Sequence, residues 1–151
     1  MARRKPRYKQ GKFIPRNPEK YKGDPNGIIF RSGLELSYFN FFDTRKNVVA
    51  WASEEFFVPY IGPDGKRHRY FVDVYLEVKG ADGTIRKFIA EIKPHSETRE
   101  PRPQKRNTQA HKRRWATYMV NRCKWDAAEK FAEKNGLEFV YLTEKDLKRK
   151  R

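Results

Sequence analysis

The sequence predicts a mixed α/β domain, a β-sheet flanked by helices, preceded by a basic, extended N-terminal arm. Three observations carry this. Segments of strand and helix character alternate along the 151-residue chain. Two runs rich in β-branched and aromatic residues, Arg69 to Val78 and Ile85 to Lys93, flank a hairpin signal at Gly80-Ala81-Asp82-Gly83-Thr84. The first 27 residues hold nine Lys or Arg against two acidic residues, and four prolines that rule out a continuous helix. The expected division is an arm at 1–27 and a folded domain at 28–151.

In the arm, Arg3, Arg4, Lys5, Arg7, Lys9 and Lys12 lead the basic run, with Tyr8, Phe13 and Tyr21 spread among the cations. Those rings either stack on bases or dock the arm onto the body, docking being the stronger reading. Ser32-Gly33-Leu34-Glu35 then opens a helix, with Leu34, Tyr38, Phe41 and Phe42 near helical spacing. Ser-x-x-Glu is also a capping box, so Glu35 has a structural task available at the Ser32 backbone N–H. Asn47 to Tyr60 reads as one strand with an irregular end, placed near a sheet edge by Pro59. Glu54 and Glu55 on that end either supply another carboxylate to a site or are solvated, the solvated strand end being the stronger reading. Pro63-Asp64-Gly65 turns the chain into the Arg69 strand.

Beyond Lys93 the pattern changes. Pro94 to Asn107 contains three prolines, a long connection of the kind that carries function or mobility. Thr108 to Asn135 is helical, with a break near Asn121 as the alternative that would give two helices. Gly136 ends it. Leu137 to Leu142 is a further strand, and Thr143 caps a short last helix. Strand–helix–strand favours a parallel pairing of that last strand beside the hairpin.

Register within the hairpin follows from its loop. With Ala81-Asp82-Gly83 as a three-residue loop and Gly83 left-handed, Gly80 faces Thr84. Leu76 then faces Phe88, Val74 faces Ala90 and Val72 faces Ile92, so one face is wholly apolar. On the other, Glu77 meets Lys87 and Asp73 falls opposite Glu91, with Lys93 two residues on. A two-residue loop would set Val74 against Glu91; the apolar match selects the first register. Opposed like charges destabilise a ladder. Either both carboxylates are solvated or neutralised by nearby Lys and Arg, or they hold a hard divalent cation beside an ammonium, as a phosphodiester-cleaving site does. The residues alone leave both readings open.

Composition narrows the class. Lys and Arg number 35 against 19 Asp and Glu, a net charge of +16, which points to a polyanionic partner, nucleic acid before a membrane surface. No apolar run approaches the roughly 18 residues of a spanning helix, and the isolated apolar residues after the basic start predict no signal peptide. One cysteine, Cys123, excludes disulfides within the chain and cysteine-built zinc sites, and points to a reducing, intracellular setting.

With these residues in place, the chain resembles the PD-(D/E)XK nuclease superfamily, and within it the head completion proteins of T-even-type tailed bacteriophages. It is also similar to the endonuclease subunit of heteromeric transposons. The resemblance spans about residues 28 to 147. It rests on Phe30-Arg31-Ser32-Gly33-Leu34-Glu35, Val48 to Glu55, Arg69-Tyr70-Phe71-Val72-Asp73, Glu91-Ile92-Lys93-Pro94, and Lys124-Trp125 through Gly136-Leu137-Glu138-Phe139. The basic arm carries the closer match to the phage proteins. Val72 departs from the pattern, standing where the superfamily usually has a proline that is not a ligand.

The resemblance implies a restriction-endonuclease-like sheet and an endodeoxyribonuclease dependent on Mg²⁺ or Mn²⁺, with no small-molecule cofactor. Asp73 and Glu91 would bind the metal, Glu35 would join through the metal or a water, and the Ile92 carbonyl would be a further ligand. Lys93 would orient or deprotonate the attacking water. The arm cations with Arg31, Arg69, Lys112, Arg113 and Lys124 would contact DNA. The implied partners are double-stranded DNA and phage capsid or portal/neck proteins, with no membrane. The implied places are the host cytoplasm during assembly and the phage head of the virion. Two other functions compete: a non-enzymatic DNA-binding head protein that keeps the nuclease fold, and a ribosomal-type RNA binder. The latter leaves Asp73 opposite Glu91 unexplained.

Overall fold

The computed structural model describes residues 10–149; Arg3, Arg4, Lys5, Arg7 and Lys9 lie outside the described residues. The chain forms β1 (Gly11–Lys12), β2 (Ile29–Phe30), α1 (Gly33–Thr44), β3 (Val48–Ser53), β4 (Phe57–Ile61), β5 (Arg67–Phe71), β6 (Val74–Lys79), β7 (Ile85–Ile92), α2 (Gln109–Lys134), β8 (Glu138–Leu142) and α3 (Glu144–Arg149). The central sheet has the order β3-β6-β7-β8; β1–β2 and β4–β5 are separate two-stranded ribbons.

The hairpin register is the expected one. Gly83 takes φ 83°, the Gly80 N–H bonds the Thr84 carbonyl at 2.8 Å, and Val74 pairs Ala90, Leu76 pairs Phe88 and Glu77 pairs Lys87. β8 lies parallel to β7, as a strand–helix–strand crossover favours. The helix over Thr108 to Asn135 is unbroken at Asn121; it starts on a Thr108 side-chain cap and runs as α2.

Two expected strands are each divided. Asn47 to Tyr60 becomes β3 and β4, separated at Glu54, which turns the chain with φ 53°. Arg69 to Val78 becomes the end of β5 and most of β6, separated at Val72–Asp73. The physical cause of the second break is visible. By the hairpin count the Ile92 N–H would next bond across the ladder to Val72, but the Asp73 carboxylate takes it at 2.9 Å. Val72 instead donates to the Phe56 carbonyl at 3.3 Å. The alternation of faces is lost there: Val74 packs with Trp51 and Phe39, Val72 with Trp125.

Both faces of the sheet are covered. One carries α1 and an aromatic cluster around the fully buried Trp51, with Phe39 and Phe42 at 5.1 and 5.6 Å between ring centroids. The other carries α2 and the β4–β5 ribbon around Trp125, Ile89 and Val58. Burying a Phe of this kind contributes about 1.5–3 kcal/mol each. The face expected to be polar is therefore interior, and Glu91 is only 5% exposed.

From residue 10 onward the expected arm is laid on the body. Phe13 and Tyr21 are buried against Trp51, and the Arg16 and Asn17 N–H groups bond the buried Asp43 carboxylate at 2.8 and 3.0 Å. Residues 27 and 28 mark no gap in packing, because these anchors on both sides belong to one core.

Candidate nuclease site

The site lies where β6 and β7 stop pairing. Asp73 is half-buried in the break before β6, and Glu91 is buried near the end of β7. Lys93, just past β7, has its Nζ 3.5 Å from the Glu91 carboxylate. Its neighbour in space is Tyr70, whose buried hydroxyl donates to Glu91 Oε2. The Lys124 ammonium, from α2, stands 5.8 Å from the Tyr70 ring centroid, so this cation reaches the same corner from the second layer.

Glu35 comes from the first turn of α1, whose N-cap is Ser32: the Glu35 N–H donates to Ser32 Oγ at 3.1 Å. The helix start thus positions the carboxyl. Arg31, one residue before the cap, forms an ion pair with Glu54, and the Glu54 N–H bonds the Asp73 carbonyl at 3.3 Å.

Electrostatics tie these groups together. Burial pushes the Asp73 carboxyl well above the usual carboxylate range, and the negative charge of Glu91 pushes it further; Glu35 adds to this, while the Ile92 N–H and Lys93 pull the other way. Glu35 is raised chiefly by burial and next opposed by its bond to the Arg31 backbone; Glu54 raises it further. Burial, then Glu91 and Asp73, drive the Tyr70 hydroxyl upward, so it stays protonated and donates. Arg31 is held more firmly charged, first by Glu54, with Glu35 and Asp73 contributing.

A divalent cation fits this donor set. Two buried or half-buried carboxylates repel each other, and the Ile92 N–H, the Tyr70 hydroxyl and the Lys93 ammonium offset them only in part. Among the described residues no three His, Cys, Asp or Glu side chains close around one point, so the expected trio of Asp73, Glu91 and Glu35 is not assembled; Glu91 and, more weakly, Glu35 act on Asp73 through their charge. Ile92, between Glu91 and Lys93, offers its N–H to Asp73.

The other expected DNA contacts are spread more widely. Lys12 is exposed on β1, and Lys112 and Arg113 are exposed near the N-terminal end of α2. Arg69 stands on the outward face of the β4–β5 ribbon, its guanidinium 5.1 Å over the Phe57 ring. His95 is tied by its backbone N–H to Glu144 at 3.0 Å. Asn121 is buried and lines a cavity with Arg113, Arg114 and Tyr118.

Sequence reasoning missed Tyr70 and favoured the wrong one of two readings for Glu54. On an uninterrupted strand Tyr70 and Asp73 lie on opposite faces, so no period-2 pattern connects them. Glu54 read as the solvated end of a strand; nothing in its residue type announces a left-handed backbone. Proximity to a motif is the signal that could have flagged both.

No solved structure matches the chain. A family model described as "TnsA-like endonuclease N terminal" matches residues 45–144, a span that takes in Asp73, Glu91 and Lys93. The "Head completion nuclease" of Enterobacteria phage T4 is 39% identical over 143 residues, covering 91% of this chain and 93% of that one. The sheet order and flanking helices form the restriction-endonuclease-like arrangement. By sequence match and architecture together, the chain belongs to the TnsA-like endonuclease family, alongside the phage head completion nucleases.

Proposed function

We propose that the protein is a metal-dependent DNA endonuclease that acts on packaged DNA during phage head maturation, before tail attachment. The observation that carries it is the charge cluster at the end of the β6–β7 ladder: Asp73, its carboxyl raised by burial and by Glu91, with the Lys93 ammonium 3.5 Å from Glu91. Two carboxylates placed close together and only partly compensated favour a further cation between them.

Asp73, Glu91 and the Ile92 carbonyl would hold the metal, Mg²⁺ or Mn²⁺, with Glu35 reaching it through a water. The ion supplies charge for the phosphoryl oxygen and a lowered pKa for water. Tyr70 fixes the Glu91 carboxylate through its hydroxyl. Lys93 Nζ would orient the attacking water and offset charge on the phosphate as the ammonium, or deprotonate that water as the neutral amine. Arg31, Arg69, Lys112, Arg113 and Lys124, with the arm cations Arg3, Arg4, Lys5, Arg7, Lys9 and Lys12, contact the DNA backbone; phosphate contacts position a duplex without reading its sequence. The name of the phage T4 relative supports a place in head completion, and with it partners among capsid or portal/neck proteins, in the host cytoplasm and then in the virion. No helix of the described residues is long and apolar enough to cross a membrane.

The test is cleavage of double-stranded DNA with Mg²⁺. Asp73→Asn is expected to lower the rate about 10²-fold or more while binding persists. A net charge of +16 favours a second reading, a DNA-binding head protein that keeps the fold without the chemistry. If neither protein cuts and both complete particles equally well, that second reading replaces the first.

A further inference from the structure

Glu54 and Arg31 form an arrangement that the hydrolytic chemistry above does not use. Glu54 is, among the described residues, the one non-glycine with positive φ, at 53°, a conformation disfavoured by the clash of Cβ with the backbone. That conformation separates β3 from β4 and aims the residue two ways. Its N–H bonds the Asp73 carbonyl at 3.3 Å, and its carboxylate pairs with Arg31. Arg31 directly precedes the cap of α1, and the charges of Glu35 and Asp73 help hold its guanidinium charged. The paired side chains are 51% and 35% exposed, and ion pairs so open to water add little stability. The strained backbone is therefore not explained by the stability of the pair. Strain of this kind concentrates at functional sites.

We propose that Glu54 is a positioning residue that holds Arg31 beside the Asp73–Glu91 pair, where the guanidinium receives the phosphate to be cut. The proposal rests on the nuclease reading. A guanidinium has five N–H donors in a planar fork, so one carboxylate partner leaves donors free for a phosphate oxygen. Glu54 sets the direction of that fork and, through its backbone, fixes it relative to Asp73.

Glu54→Gly accepts the left-handed φ and removes the carboxylate, so it isolates positioning from folding. In the full chain with Mg²⁺, it is expected to keep or raise Tm, to lower kcat about tenfold or more, and to change KM less than about threefold. Glu54→Asp, which tolerates that backbone, restores part of the loss. Arg31→Ala and the double variant with Glu54→Gly lose about as much as each other, because the two residues act as one unit. Undiminished kcat in Glu54→Gly, or additive losses, overturns the proposal. The same cycle is measured on metal-free binding to duplex DNA, where Arg31→Ala is expected to lower the salt slope by about one. If the wild-type protein cuts nothing, the nuclease reading fails, and the binding cycle decides this inference: coupled effects of Arg31→Ala and Glu54→Gly support it, additive ones overturn it.

Discussion

Asp73 is an acid whose charge the fold opposes until something cationic arrives. Its folded pKa lies above the ordinary carboxylate value, from burial first and Glu91 second. The folded state therefore binds the proton more tightly than the unfolded state. The stability this contributes is fully present below the ordinary carboxylate pKa of about 4 and is lost as pH rises through the folded pKa. In metal-free protein at pH 7, Asp73→Asn should melt at a higher temperature than wild type, with the difference vanishing as the pH falls to about 4. A lower Tm for the variant at pH 7 would show that the carboxylate is already satisfied by Ile92 and Lys93. At this scale the sequence was informative up to a point: counting from Gly83 gave the pairs from Glu77–Lys87 to Val74–Ala90 because apolar pairs have only one matching register, whereas the ladder stops before the expected Asp73–Glu91 pair. Tyr70 and Glu54 were illegible for a different reason. Their roles depend on backbone breaks, and neither residue type encodes a break.

Among the elements, α1 joins the N-terminal segment to the body through Asp43 near its C-terminal end. Asp43 is 1% exposed and accepts two backbone N–H bonds from Arg16 and Asn17. Asp43→Ala leaves both donors unpaired, for a cost of about 2–3 kcal/mol, read as a lower urea midpoint at unchanged slope. It should also open residues 10–27 to proteolysis before the rest of the chain. An unchanged midpoint would mean that the packing of Phe13 and Tyr21 and the remaining hydrogen bonds of the segment, such as Lys22 N–H to the Trp51 carbonyl, hold it without the Asp43 carboxylate. Proline content and charge made this stretch look like an arm, and the docking reading rested on the spacing of its rings. What composition could not supply was the partner, a carboxylate 26 residues away on a helix. The unbroken α2 and the divided strands follow the same logic: helical spacing is local, whereas a strand ends where its neighbour's hydrogen bonds are taken by something else.

For the whole molecule, the charge excess of +16 predicts binding dominated by counterion release. If six to ten phosphates are contacted, affinity for duplex DNA falls about 10³- to 10⁵-fold between 50 and 200 mM salt. Lys112→Ala and Arg113→Ala should each lower the slope by about one without altering sequence preference, as measured by fluorescence anisotropy across a salt series. A flat response would remove nucleic acid as the partner.

The amino-acid order alone determined the class of domain, the hairpin register and the parallel final strand, and pointed to a polyanionic partner, because turn chemistry, apolar period and net charge are carried by neighbouring residues. Tertiary structure decided which carboxylates are desolvated and what touches them. Burial of Glu91 under α2, the Ile92 N–H captured by Asp73, and Arg31 held by Glu54 each require segments far apart in the chain to meet. A charge acquires its chemistry from the dielectric and the partners around it, and those exist only once the layers have closed.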